Sequence, residues 1–152
     1  MNGQKDGRRD RVEKSQALFT EGYNCSQSVL AGFSESLGLD RATAAKLATG
    51  MGGGMGRMGH TCGAVSGAFL ALGLKHGGAT AQDKEAKDKT YRLVREFAVR
   101  FKARNGSLQC RELLGCDIST EAGFAEARQK GLLTTVCPKM VRDAGEILEE
   151  LL

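Results

Sequence analysis

CGAVSGAFLALGL, residues 62–74, carries no charge until Lys75 and is apolar on every side. A helix without a polar face belongs in the interior of a fold. The run has 13 residues, short of the ~20 needed to span a bilayer, so no membrane span is expected. Gly63, Gly67 and Ala71 recur at four-residue spacing and form a smooth stripe against which another helix can pack closely. The fold is therefore expected to be built around this segment.

Working outward, Gly77 and Gly78 close the buried helix. The longest helix is expected over 81–104, with Tyr91, Val94, Phe97, Ala98 and Phe101 on its apolar face. Glu85/Lys89, Asp88/Arg92 and Glu96/Arg100, acid before base at i, i+4, mark its solvated face. Ser107 can cap a short helix, LQCRELL, and Ser119 another that runs to Lys130. The last helix opens at Pro138, the only proline, a residue suited to a first turn. Upstream, GMGGGMGRMG (50–59) has six glycines in ten residues and must be a loop. Before it, a helix over 8–21 ends at Gly22, Asn24 with Gln27 forms a capping box for a helix to about Leu37, and Asp40 caps a helix over 41–49. Strand-like alternation is missing throughout. The expectation is an all-α single domain of about seven helices around the buried central one, with residues 1–7 disordered.

The 152 residues suit one domain. Hydrophobic residues at 41% and charged residues at 26% match globular usage and exclude a disordered or low-complexity chain. A net charge of +4 is too small to hold a phosphate backbone, so no nucleic-acid partner is expected. The N-terminus has basic residues but no apolar run behind them, which argues against a secretory signal and for the cytoplasm. Five cysteines are odd in number and thinly spread, unlike a disulfide scaffold. In a reducing cytosol they are core residues, metal ligands or redox thiols.

Four of the five fall at expected helix starts: Cys25 after Asn24, Cys62 at the opening of the buried helix, Cys110 after Ser107, and Cys137 before Pro138. Free amides and the positive end of the helix dipole favour thiolate there. Converging first turns would make a pocket suited to four thiolates on iron or to a pair of low-pKa thiols. No C-x2-C occurs, which argues against a zinc ribbon, a bacterial ferredoxin or a thioredoxin-like motif. Cys116, in a turn after Gly115, reads as an accessory thiol. His60 could ligate a metal or accept a proton but reads more readily as solvated, and His76 suits the negative end of a helix.

GMGRMG (54–59) satisfies G-x-G-x-x-G, yet a helix precedes it and no strand follows, so a dinucleotide site is rejected. What remains is a loop whose backbone can approach a ligand, with Arg57 able to pair with an anion. Gly53, Gly54 and Arg57, with Gly63 beyond Cys62, are the candidate cofactor-contacting residues. No Ser-His-Asp set, HExxH motif or carboxylate pair supports hydrolase chemistry.

YNCSQSVL around Cys25, GMGGGMGRMGHTCGAVSGA through Cys62, NGSLQCRELLGCD with Cys110 and KGLLTTVCPK with Cys137 occur in order over residues 15–151. In these segments the chain resembles the redox-active proteins named for their C-GCAxxG-C-C cysteine pattern. The resemblance implies a small all-helical protein whose four characteristic cysteines are Cys25, Cys62, Cys110 and Cys137. A related domain in the split-Soret cytochromes is associated with an iron–sulfur centre, which suggests a [2Fe–2S]-type site; without CxxCH, haem does not carry over.

The leading expectation is thus electron transfer through an iron–sulfur cluster on those four cysteines, with a redox partner the sequence does not identify. A second is a metal-free thiol/disulfide protein using Cys62 and Cys25. A third is a non-catalytic helical binding module with structural or zinc-binding cysteines. A homodimer is compatible with the Gly/Met loop and the buried helix as a close-packing surface.

Overall fold

The computed structural model describes the backbone of residues 2–152 and the side chains of residues 7–152. Of residues 1–7, expected to be disordered, Met1 lies outside the described residues, and the backbone of residues 2–7 is helical as part of α1. Nine α-helical segments are present among the described residues: α1 (Asn2–Glu21), α2 (Cys25–Ser34), α3 (Arg41–Ala48), α4 (Gly63–His76), α5 (Lys84–Asn105), α6 (Cys110–Leu114), α7 (Glu121–Gln129), α8 (Leu132–Thr135) and α9 (Cys137–Leu151). Every helix placed individually in the sequence is present, and the one added segment is α8, a single turn between Gly131 and Cys137.

Residues 62–74 form the buried helix that their apolarity requires. Gly63 to Ala68, Ala71 and Leu72 of α4 are buried, Phe69 and Leu70 are half-buried, and the last turn reaches solvent. α4 has a buried partner that the sequence hides. α2 is buried at Ser26 and from Ser28 to Ser34 although three of those residues are serines. Ser28 and Ser34 satisfy their hydroxyls on carbonyls of the same stretch, Asn24 at 2.8 Å and Ala31 at 3.2 Å, so they pack as small residues. The predicted stripe on α4 is where this pair meets: a Cβ on Gly67 would stand 2.6 Å from the Ser26 carbonyl oxygen. α1, α3, α5 and α9 surround the pair.

The helix starts follow elementary capping chemistry. Asn24 accepts from the Gln27 amide at 2.9 Å while Gln27 accepts from the Asn24 amide at 3.0 Å, the reciprocal box expected. Asp40 caps α3 through the Thr43 amide at 2.9 Å. Two expected caps are displaced. Ser107 accepts from the Gln109 amide at 2.9 Å, so α6 starts at Cys110. Thr120, not Ser119, caps α7 through Gly123 at 3.0 Å, because Ser119 is engaged by Asp117.

The apolar interior is in two parts. The larger contains Phe33, Phe97, Phe101, Leu72 and Ile147. The smaller gathers Cys110, Leu114, Cys116, Ile118 and Ala127, with Phe124, Leu132, Leu133 and Cys137 against it. Val136 touches both. No helix among the described residues is long and apolar enough to cross a membrane.

Candidate functional site

At the junction of the two cores lies a cavity of about 200 Å³ lined by Cys25, Cys62, Cys110 and Cys137. Each sits at a helix start: Cys25, Cys110 and Cys137 are first residues of α2, α6 and α9, and Cys62 is the N-cap of α4. Gly53, Gly54, Arg57 and Gly63 line the same cavity, Asn24 adds a polar group, and Phe19, Leu113, Ile118, Phe124, Leu133 and Met140 make most of the remaining wall apolar.

Separate local devices aim the sulfurs. Cys62 and Cys110 are tied through the backbone: the Cys62 amide donates to Leu108 at 2.7 Å and the Cys110 amide to His60 at 2.6 Å, flanking an antiparallel bridge between Thr61 and Gln109. A one-residue bridge has no sequence period, so it was not legible beforehand. Arg111 reinforces it, donating to the Met58 carbonyl at 2.8 Å and the Gly59 carbonyl at 3.2 Å. Cys25 is fixed by the capping box, and α4 comes up against it because Gly63 lacks a side chain; a Cβ there would lie 3.1 Å from the Cys25 Cβ. Likewise a Cβ on Gly54 would lie 2.7 Å from that of Cys110.

The Gly-rich loop is ordered by a run of left-handed backbone. Gly53, Gly54, Met55, Gly56 and Arg57 all have φ between 57° and 68°, a conformation that costs L-residues roughly 1–2 kcal/mol each. Glycine at three of the five positions keeps the strain to Met55 and Arg57.

The electrostatics correct one expectation. Helix starts were expected to lower the thiol pKa values, yet burial pushes Cys62 up to about 11 against the opposing pull of the Ala64 and Val65 amides. Cys110 is pushed up to about 12, first by burial and then by the neighbouring Cys62 and Cys137 sulfurs. Cys25 is raised because its thiol donates a hydrogen bond to Cys137, with burial second. Only Cys137 is lowered, by accepting that bond. Loss of solvation in an apolar cavity outweighs the helix-end amides.

The remaining sequence candidates fall elsewhere. Cys116 is buried in the smaller core and does not line the cavity. His60 is exposed and meets the site only through its backbone. His76 stands 3.2 Å from the Leu151 carbonyl.

A single tetrahedral zinc ion needs four donors about 2.3 Å from one point. Among the described residues no group of three Cys, His, Asp or Glu is gathered tightly enough to hold an ion. A two-iron cluster divides its ligands between two irons, and four sulfurs spread around one apolar cavity, two from each core, suit that demand.

No curated protein and no solved structure matches the chain. Residues 23–151 match the model of the family described as "Putative redox-active protein (C_GCAxxG_C_C)", a span that takes in the Gly-rich loop and all four cavity cysteines. The chain belongs to this C_GCAxxG_C_C redox-active family.

Proposed function

We propose that Cys25, Cys62, Cys110 and Cys137 hold an iron–sulfur cluster of the [2Fe–2S] type and that the protein carries electrons in the cytoplasm to and from a separate redox partner. The observation that carries this reading is the single cavity that all four cysteines line, each from a different helix start. When bound, such a cluster supplies one-electron chemistry. The chain's own contribution is to gather the thiols, give up their protons on loading, and surround them with Phe19, Leu113, Leu133 and Met140 to exclude water.

One interaction favours a second reading. Cys25 and Cys137 shift one another's titration in opposite directions, and oxidation of this pair would join the two sulfurs as a disulfide, passing two electrons to the redox partner and two protons to water. In this reading the metal-free pair is Cys25 and Cys137, beside the Cys62 and Cys25 pair that the sequence suggests.

Anaerobic purification with iron and acid-labile sulfide analysis separates the two. The cluster reading expects coloured protein with equal iron and sulfide, lost or strongly reduced in Cys25→Ser, Cys62→Ser, Cys110→Ser and Cys137→Ser and retained in Cys116→Ser. Colourless protein that reversibly loses two titratable thiols, with the loss abolished by Cys25→Ser or Cys137→Ser alone, replaces it with the disulfide reading.

A further inference from the structure

Arg57 stands between two hollows. The inner one is the cysteine cavity; the outer one, about 330 Å³, opens on the surface among Gly56, Arg57, Met58, Ser119, Thr120 and Glu121. Arg57, Ile118 and Phe124 line both. The Arg57 guanidinium lies over the Phe124 ring, 4.4 Å from its centroid, with the Arg128 guanidinium farther off at 5.7 Å, and of the two only Arg57 lines both hollows, so the Arg57–Phe124 pair forms the partition.

The chain holds the cation there against a cost. Arg57 has φ 64°, where glycine would rest without strain. Gly53 makes room for its stem, since a Cβ there would lie 2.8 Å from the Arg57 Cγ. Among the described residues no carboxylate forms an ion pair with Arg57, and Glu121 in the outer pocket is no exception. An unneutralised guanidinium at the neck of an apolar passage attracts negative charge and repels positive charge. Behind it, Cys25 and Cys137 are the two cavity thiols that retain partial exposure.

We propose that the Arg57–Phe124 partition is a selective entrance through which small anionic molecules reach the cavity thiols, with Arg57 as the charge filter and Phe124 as the steric one. This rests on the cavity being the working site, whichever chemistry its cysteines perform.

Two aromatic disulfides serve as probes, the anionic dithiobis(nitrobenzoate) and the neutral dithiodipyridine. With either, a cavity thiolate attacks the probe, the probe S–S bond breaks, a mixed disulfide forms, one arylthiolate leaves and the thiol proton passes to solvent. Rates are measured on the whole chain as purified and on a sample stripped of metal by a chelator. Arg57→Met is expected to slow the anionic probe about tenfold relative to the neutral one, Arg57→Lys to restore the ratio, and high salt to erase the difference. Arg57→Gly removes the charge while relaxing the backbone, so the same loss of ratio there excludes a folding defect. Phe124→Ala is expected to speed both probes. An unchanged ratio in Arg57→Met and Arg57→Gly, or unchanged rates in Phe124→Ala, overturns the entrance. Absence of metal in the purified protein overturns the cluster reading and leaves the rate ratio fully readable.

Discussion

Gly54 shows how finely single residues are fitted to this cavity. Its φ is 68°, and an added Cβ would stand 2.5 Å from the His60 amide nitrogen. Gly54→Ala should therefore destabilise the protein by about 2–3 kcal/mol and displace Cys110, which denaturant unfolding and metal analysis would both register. Met55, at φ 67°, is the opposite case: Met55→Gly should raise stability by about 0.5–1 kcal/mol after glycine's entropic cost, readable as a higher unfolding midpoint. The cysteine positions were legible at this scale because a thiol beside a capping residue or before proline is a sequence pattern. The raised thiol pKa values were not, because desolvation depends on what arrives from elsewhere in the chain.

Among the elements, α2 depends most on its start. Asn24 closes the capping box, lines the cavity, and donates from its side chain to the Thr49 carbonyl at 3.0 Å, tying α2 to the end of α3. Asn24→Ala is expected to cost about 1 kcal/mol in equilibrium unfolding and to lower cluster occupancy by loosening Cys25. At the other edge, Arg11 of α1 holds Glu149 of α9 through two bonds of 2.7 and 2.6 Å, with the Glu149 side chain only 7% exposed. Arg11→Met leaves that carboxylate buried without its partner and should cost about 3 kcal/mol, while the double change Arg11→Met with Glu149→Leu should recover much of it. Urea unfolding of the three variants decides this. Periodicity and caps placed the long helices; the role of α2 was concealed because its serines read as polar, and Ser107 and Ser119 misplaced two starts because their hydroxyls serve neighbouring turns.

At the scale of the whole molecule, the buried pair α2 and α4 is both scaffold and site support: its two helix starts carry Cys25 and Cys62, while the smaller core carries Cys110 and Cys137. Phe97, fully buried and stacked on Phe101 at 6.0 Å, belongs to the larger core and does not line the cavity. Phe97→Ala should lower global stability by about 3–5 kcal/mol yet leave the metal content of the folded fraction unchanged, a separation that unfolding and metal analysis together would show. The central helix could be read from residues 62–74, and the all-helical class from the lack of strand-like alternation along the chain. The junction between two cores could not, since it depends on a single backbone bridge, Thr61 to Gln109, between segments far apart in the chain.

X-ray diffraction at the iron absorption edge, from crystals of the anaerobically purified protein, addresses the cavity directly. A strong anomalous peak inside it, in contact with the sulfurs of Cys25, Cys62, Cys110 and Cys137, is the result expected; iron bound elsewhere, or those four sulfurs directed into separate regions of the molecule, would contradict it.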